Sequence, residues 1–229
     1  MATPAPFKTS TVDAKKPVVD DKLKPTAEMH ILVGGPYTVD GEEHRYGHTA
    51  LRIISKGVDT TYDFGRYGKV TGTFGESGDG ILRVWTDFKP YIASENALKR
   101  KTTGFVYAIF DHQAAAVTTH FDSLIKSGTA YPNKNRTAMK VYRLNTDYHA
   151  LGPNCTTLSL DGATKALPKI DDGSERYNKP ADVLSMGERL ALTAKGGAPR
   201  LFLPDNLLKF LSGGSLEKPI RTDVYGGGK

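Results

Sequence analysis

The chain has 229 residues, a formal net charge of +6, a pI near 9.2 and 38% hydrophobic residues, enough apolar material for one core of ordinary size plus extensions. No run approaches the roughly 18 apolar residues of a membrane-spanning helix, so no stable membrane anchor is expected. The single cysteine excludes an intrachain disulfide framework.

The basic balance points to an anionic target such as cell-wall polymer or phospholipid head groups. Nucleic acid is set aside: the basic residues are scattered, the densest cluster being Lys99-Arg100-Lys101, and no zinc-finger spacing or aromatic RNA-binding signature accompanies them. Residues 1–27, rich in Pro, Lys, Asp and Thr, read as a flexible arm with no hydrophobic signal segment.

Met29-His30-Ile31-Leu32-Val33 reads as a buried strand ended by Gly34-Gly35-Pro36. In Gly47-His48-Thr49-Ala50-Leu51-Arg52-Ile53, Thr49, Leu51 and Ile53 alternate with His48, Ala50 and Arg52, which predicts a strand with His48 on one face. His44 lies four residues before His48, but the intervening Gly47 and the strand pattern argue against a helical metal pair, and no third ligand is evident, so no metal or organic cofactor is expected. Ser55 to Asp59 predicts a hairpin turn, returning as a strand over Thr60 to Phe64. Asp63 on that strand is the nearest carboxylate able to orient His48; Thr60 and Tyr62 face alternately and stay open as alternatives.

Gly65 to Gly80 holds six glycines in sixteen residues and reads as a mobile loop beside a cleft; it lacks the Gly-Lys-Ser/Thr step of a phosphate loop. Strands follow at Ile81 to Trp85 and Gly104 to Phe110. Between Asp111, taken as N-cap, and Gly128, the stripe Ala114, Val117, Phe121, Leu124 and Ile125 predicts a helix. Met139 to Leu144 is a further strand.

The chain then reaches Gly152-Pro153-Asn154-Cys155-Thr156-Thr157-Leu158. Asn154 is a good N-cap, and Cys155, Leu158, Ala163, Ala166 and Leu167 form one helical stripe that Pro168 stops. Cys155 therefore stands in a first helical turn, where unpaired N–H groups and the positive end of the helix dipole favour a thiolate. A base is all that is missing. His149 is a rival to His48 by sequence proximity, while Tyr148, Asn154 and Tyr62 are candidate substrate-binding residues. Beyond Pro168, helices are expected over Ala181 to Lys195 and from an Asp205 cap through Leu211, with a mobile tail from Glu217.

Gly47-His48-Thr49-Ala50-Leu51-Arg52, followed about a hundred residues later by Asn154-Cys155-Thr156-Thr157-Leu158, resembles the permuted papain-like cysteine hydrolases, relatives of the NlpC-type cell-wall peptidases and of lecithin:retinol acyltransferase. The likeness covers residues 29–168. It implies an α+β fold in which an antiparallel sheet packs against the cysteine-bearing helix. The implied organisation is an arm (1–27), a catalytic domain (28–170) and a helical extension with tail (171–229). It further implies a Cys155–His48 dyad, completed by Asp63, that cleaves an amide bond in peptidoglycan stem peptides. The combination resembles antibacterial type VI secreted effectors, made in the cytoplasm beside an immunity protein, carried by a secretion machine and acting in a target cell's periplasm. A lipid-directed thioesterase or acyltransferase, or a binding module of the same shape, is the alternative.

Overall fold

The computed structural model describes residues 24–39, 41–72, 76–132, 137–194, 196–197 and 200–227. In chain order, β1 (Ala27–Gly34) leads into a hairpin of β2 (Tyr37–Val39) and β3 (Glu42–His44), then β4 (His48–Ser55) and β5 (Val58–Gly65). The two-residue strands β6 (Val70–Thr71) and β7 (Ser77–Gly78) precede β8 (Ile81–Trp85), α1 (Phe88–Ala97), β9 (Thr102–Ile109) and α2 (Asp111–Ser127). β10 (Thr129–Tyr131), β11 (Met139–Arg143) and β12 (Tyr148–His149) lead to α3 (Cys155–Ala166), and α4 (Met186–Ala194), α5 (Pro204–Lys209) and β13 (Arg221–Tyr225) close the chain. Eight strands form one antiparallel sheet in the order β10-β11-β8-β5-β4-β1-β9-β13. The fold is thus α+β, as the pattern of strands and helices predicts.

Alternation along the strands divides the molecule into two apolar layers. Met29, Ile31, Leu51, Ile53, Tyr62, Phe64 and Phe105 belong to the main core, with α2, α3 and α5 packed on that face. Burying each such side chain contributes about 1.5–3 kcal/mol. Leu32, Ala50 and Trp85 point to the other face, where Phe88 and Tyr91 of α1 cover them. α3 lies close to the sheet because Gly162 has no side chain: a Cβ there would stand 2.6 Å from the Phe121 ring and 2.8 Å from a Leu51 methyl.

The β4–β5 hairpin closes with Ser55 opposite Val58, and Lys56 and Gly57 both have positive φ, at 52° and 75°. This is the primed two-residue turn whose twist matches that of the strands. It sets the register Leu51↔Tyr62, which puts Ala50 opposite Asp63 on the α1 face and Tyr62 on the main-core face.

Several expectations need correction. The helix α1 was not legible, because its buried positions Phe88, Tyr91 and Glu95 include a charge; Glu95 is accommodated by Arg100, 2.5 Å away. The 65–80 segment is not simply a loop. Its strands β6 and β7 join β12 in a second sheet, tying the segment to Tyr148 through the pair Tyr148↔Gly78. The tail from Glu217 contains β13, which pairs with β9 and is fastened by Arg221 on Glu28 at 2.6 and 2.7 Å. Phe110, not Asp111, is the N-cap of α2, and Leu203, not Asp205, that of α5, where Pro204 takes the first helical position. α4 begins at Met186, after a 3₁₀ turn over Pro180–Asp182. The expected arm lies largely outside the described residues, and Ala27 at its end already belongs to β1.

Candidate active site

The turn before α3 is built around Asn154. Its Oδ1 accepts from the Thr156 and Thr157 N–H groups at 3.0 and 3.1 Å, and its own N–H donates to Thr157 Oγ1 at 2.9 Å. Its Nδ2 donates to the carbonyls of Ala150 and Phe202, each at 2.9 Å. Asn154 is 2% exposed and its side chain is engaged at both ends, so it holds the cysteine turn in place and is not free to bind substrate. Replacing it by Ala is expected to destabilise the fold by about 2 kcal/mol, the upper range for an N-cap, because both orphaned N–H groups and two carbonyls lose partners. Urea unfolding checks this; a loss below about 0.5 kcal/mol would be incompatible with the cap.

The geometry brings His48, Asp63, Tyr148 and Cys155 together across a cavity of about 910 Å³, with Asp63 immediately behind the histidine. His48, 8% exposed, opens β4 on the face that α1 covers. Gly47 immediately before it has φ +71°, and any Cβ there would come within 2.5 Å of the Gly34 carbonyl, so only glycine delivers the chain to the strand in this path. His48 Nε2 is 2.7 Å from Asp63 Oδ1. The imidazole and the Cys155 sulfur each shift the other's protonation, and Nδ1 is the ring nitrogen that Asp63 leaves open.

The electrostatics favour an ion pair. Burial alone pulls the imidazole down, but attraction and hydrogen bonding from Asp63, then from Cys155, raise His48 to about 10. Burial pushes the Cys155 thiol up, yet hydrogen bonding and attraction from His48, the Thr49 N–H and the Tyr148 hydroxyl together bring it below its ordinary value. Asp63, 2% exposed, is likewise held low: burial opposes its charge, and His48 and Arg83 outweigh that penalty.

Two residues of the site were not foreseen. Tyr67 donates to Asp63 Oδ1 at 2.8 Å, and the Arg83 guanidinium lies 3.1 Å from the Tyr67 ring centroid and 3.9 Å from Asp63 Oδ2. Arg83 is the cross-strand partner of Asp63 on β8, a relation no local sequence signal carries. Tyr148 stands with its hydroxyl 3.9 Å from Cys155 Sγ. Tyr62 is corrected: it is 4% exposed in the main core, stacked on Phe121 at 3.9 Å, because it sits one residue from Asp63 and therefore on the opposite face. Thr60 shares the parity of Tyr62. His149, the rival base, receives the Leu151 N–H on Nδ1 at 3.1 Å and is not among the cavity walls.

His44 lies in β3 opposite Tyr37. Among the described residues, no group of three His, Cys, Asp or Glu is placed to share a metal ion, and no helix is long and apolar enough to cross a membrane. The chain matches no protein-family model, no curated protein and no solved structure.

Proposed function

We propose that the protein is a cysteine hydrolase of permuted papain-like type that cleaves an amide bond by way of an acyl-enzyme. The observation that carries this reading is the chain Asp63–His48–Cys155 at a cavity wall, with the imidazole raised and the thiol lowered. In this scheme the Cys155 thiolate attacks the carbonyl carbon, and the C–N bond breaks as the His48 imidazolium gives its proton to the departing amine. Water then attacks the thioester, delivering a proton to His48 and releasing the carboxylic acid, and the thiolate is restored.

The oxyanion of the tetrahedral intermediate needs donors. The Thr156 and Thr157 N–H groups are already used by Asn154, and the Leu158 N–H by the Asn154 carbonyl at 3.0 Å. That leaves the Cys155 N–H, which the Asn154 cap does not take up, and the Tyr148 hydroxyl, 3.9 Å from the sulfur, as the oxyanion donors. Tyr148 thus keeps a substrate-binding role. For substrate class, the net charge of +6 suits the acidic stem peptides of peptidoglycan. We further propose the setting that goes with it, an antibacterial effector delivered to another cell's periplasm and neutralised by an immunity protein in the producer.

The reactivity of Cys155 toward iodoacetamide as a function of pH tests the dyad. In the wild type, the lowered thiol keeps reacting at pH values below the range of a free cysteine. His48→Ala removes the largest lowering influence, so burial prevails, the thiol rises, and the rate at pH 6 falls by about 10-fold or more. A thiol as sluggish as free cysteine, with a profile indifferent to His48→Ala, would remove the hydrolase reading.

A further inference from the structure

The charged groups around the cavity are almost all paired with one another. Arg45 reaches Glu188 at 2.5 Å, Arg100 reaches Glu95 at 2.5 Å, and Arg83 lies over Tyr67 beside Asp63. Arg66 is different. It lines the cavity, its side chain is exposed, and it makes no ion pair or hydrogen bond among the described residues. Its stem packs over Gly78, where a Cβ would come within 2.8 Å of Arg66 Cγ, and Gly78 is the strand partner of Tyr148. The guanidinium is thereby held near enough to Tyr148 for its charge to act on that hydroxyl. Glu76, the remaining acidic side chain of the cavity wall, directs its carboxylate at Gly72, where a Cβ would meet it at 2.3 Å.

We infer that Arg66 is a substrate-recognition residue that binds a carboxylate flanking the scissile amide, so that the site selects acyl donors carrying a negative charge beside the bond to be cut. The inference rests on the proposed acyl transfer at Cys155. A planar guanidinium with unoccupied donors accepts a carboxylate in a paired, bidentate manner. The buried partners of the other arginines keep those charges internal, which leaves Arg66 to set the sign of the substrate. An amidated or esterified substrate would lose that contact and be cut more slowly.

Alkylation of Cys155 by a matched pair of reagents tests this without requiring turnover. Iodoacetate and iodoacetamide react by the same displacement, the sulfur forming a bond to the methylene carbon as iodide leaves, and are close in size but differ in charge, so any intrinsic difference between them cancels when their rate ratio is compared between variants. Dividing the two rates cancels the intrinsic nucleophilicity of the thiol and retains the local field. The expected result is a preference for iodoacetate that falls by about 5-fold in Arg66→Ala and is largely restored in Arg66→Lys, with added salt weakening it in the wild type. A rate ratio unchanged in Arg66→Ala overturns the role of Arg66 even if the dyad stands. Slow reaction with both reagents, unaffected by His48→Ala, overturns the hydrolase reading while the ratio still reports on Arg66. A thiol inert to both reagents overturns the two together.

Discussion

Cys155→Ala is expected to abolish release of soluble peptide from peptidoglycan sacculi, a loss on the order of 10⁵-fold, with the protein still folded. In the proposed reaction Cys155 contributes the sulfur that takes the acyl group, and the donors proposed for the oxyanion, its own N–H and the Tyr148 hydroxyl 3.9 Å from the sulfur, accelerate nothing without a nucleophile. Cys155→Ser should be nearly as inactive. An imidazole held as a cation by Asp63 cannot deprotonate an alcohol whose acidity lies far above its own. Circular dichroism and the unfolding midpoint should stay near wild type, since residue 155 is a small buried side chain at a turn held by Asn154. Running the same proteins on phospholipid vesicles separates substrate classes. Product from vesicles and none from sacculi would replace the amidase reading with a lipid-directed one, and unchanged release by Cys155→Ala would dispose of both.

Asp63→Asn is expected to lower the rate of hydrolysis by about 10²–10⁴-fold while leaving the site assembled. An asparagine carbonyl can still accept from His48 Nε2 and from the Tyr67 hydroxyl, now 2.7 and 2.8 Å from Asp63 Oδ1. What disappears is the negative charge, the first of the influences that raise His48 to about 10 against the cost of burial. The ion pair exists only above the pKa of the thiol and below that of the imidazolium, so the alkaline limb of the pH–rate profile near pH 10 should move down toward the ordinary imidazole range. The sign is the same for stability. A histidine raised on folding stabilises fully below its unfolded value near 6.5 and loses that contribution as pH rises toward 10, so Asp63→Asn should cost most in mild acid below about pH 6.5, where the carboxylate is still ionised, and least in strong alkali. Tyr67→Phe serves as a control: it removes one hydrogen bond to Asp63 but no charge, and should cost less than about 10-fold. An alkaline limb that stays in place in Asp63→Asn would mean that Asp63 does not set the protonation of His48.

The two halves of the candidate dyad were legible for different reasons. His48 sits in a strand whose alternation is uninterrupted from residue 48 to 53, and period two is imposed by the pleat itself, so its face could be assigned without knowing what lay against it. Asn154 and Cys155 stand where a helix must start, since Pro153 cannot continue a preceding one and Asn closes the first turn with its own side chain. Capping and alternation are local, and local rules survive any tertiary arrangement. The choice among Thr60, Tyr62 and Asp63 was not local in that sense. It needed the register of β4 on β5, which the Lys56-Gly57 turn sets, before parity could send Asp63 to the histidine and Tyr62 into the core.

Residues in the chain determined by themselves most of the strands, the two long helices α2 and α3, the cap that presents Cys155 and the face that presents His48. Tertiary structure alone decided that Tyr67 and Arg83 stand behind Asp63, that Glu95 and Arg100 make a helix with a buried charge tolerable, and that a polar tail becomes the edge strand β13. The division follows from where the interaction energy lies. A cap or an alternating face is satisfied within a few residues of backbone, whereas a buried carboxylate, an ion pair or an edge strand is stabilised only by partners that distant parts of the chain bring to it.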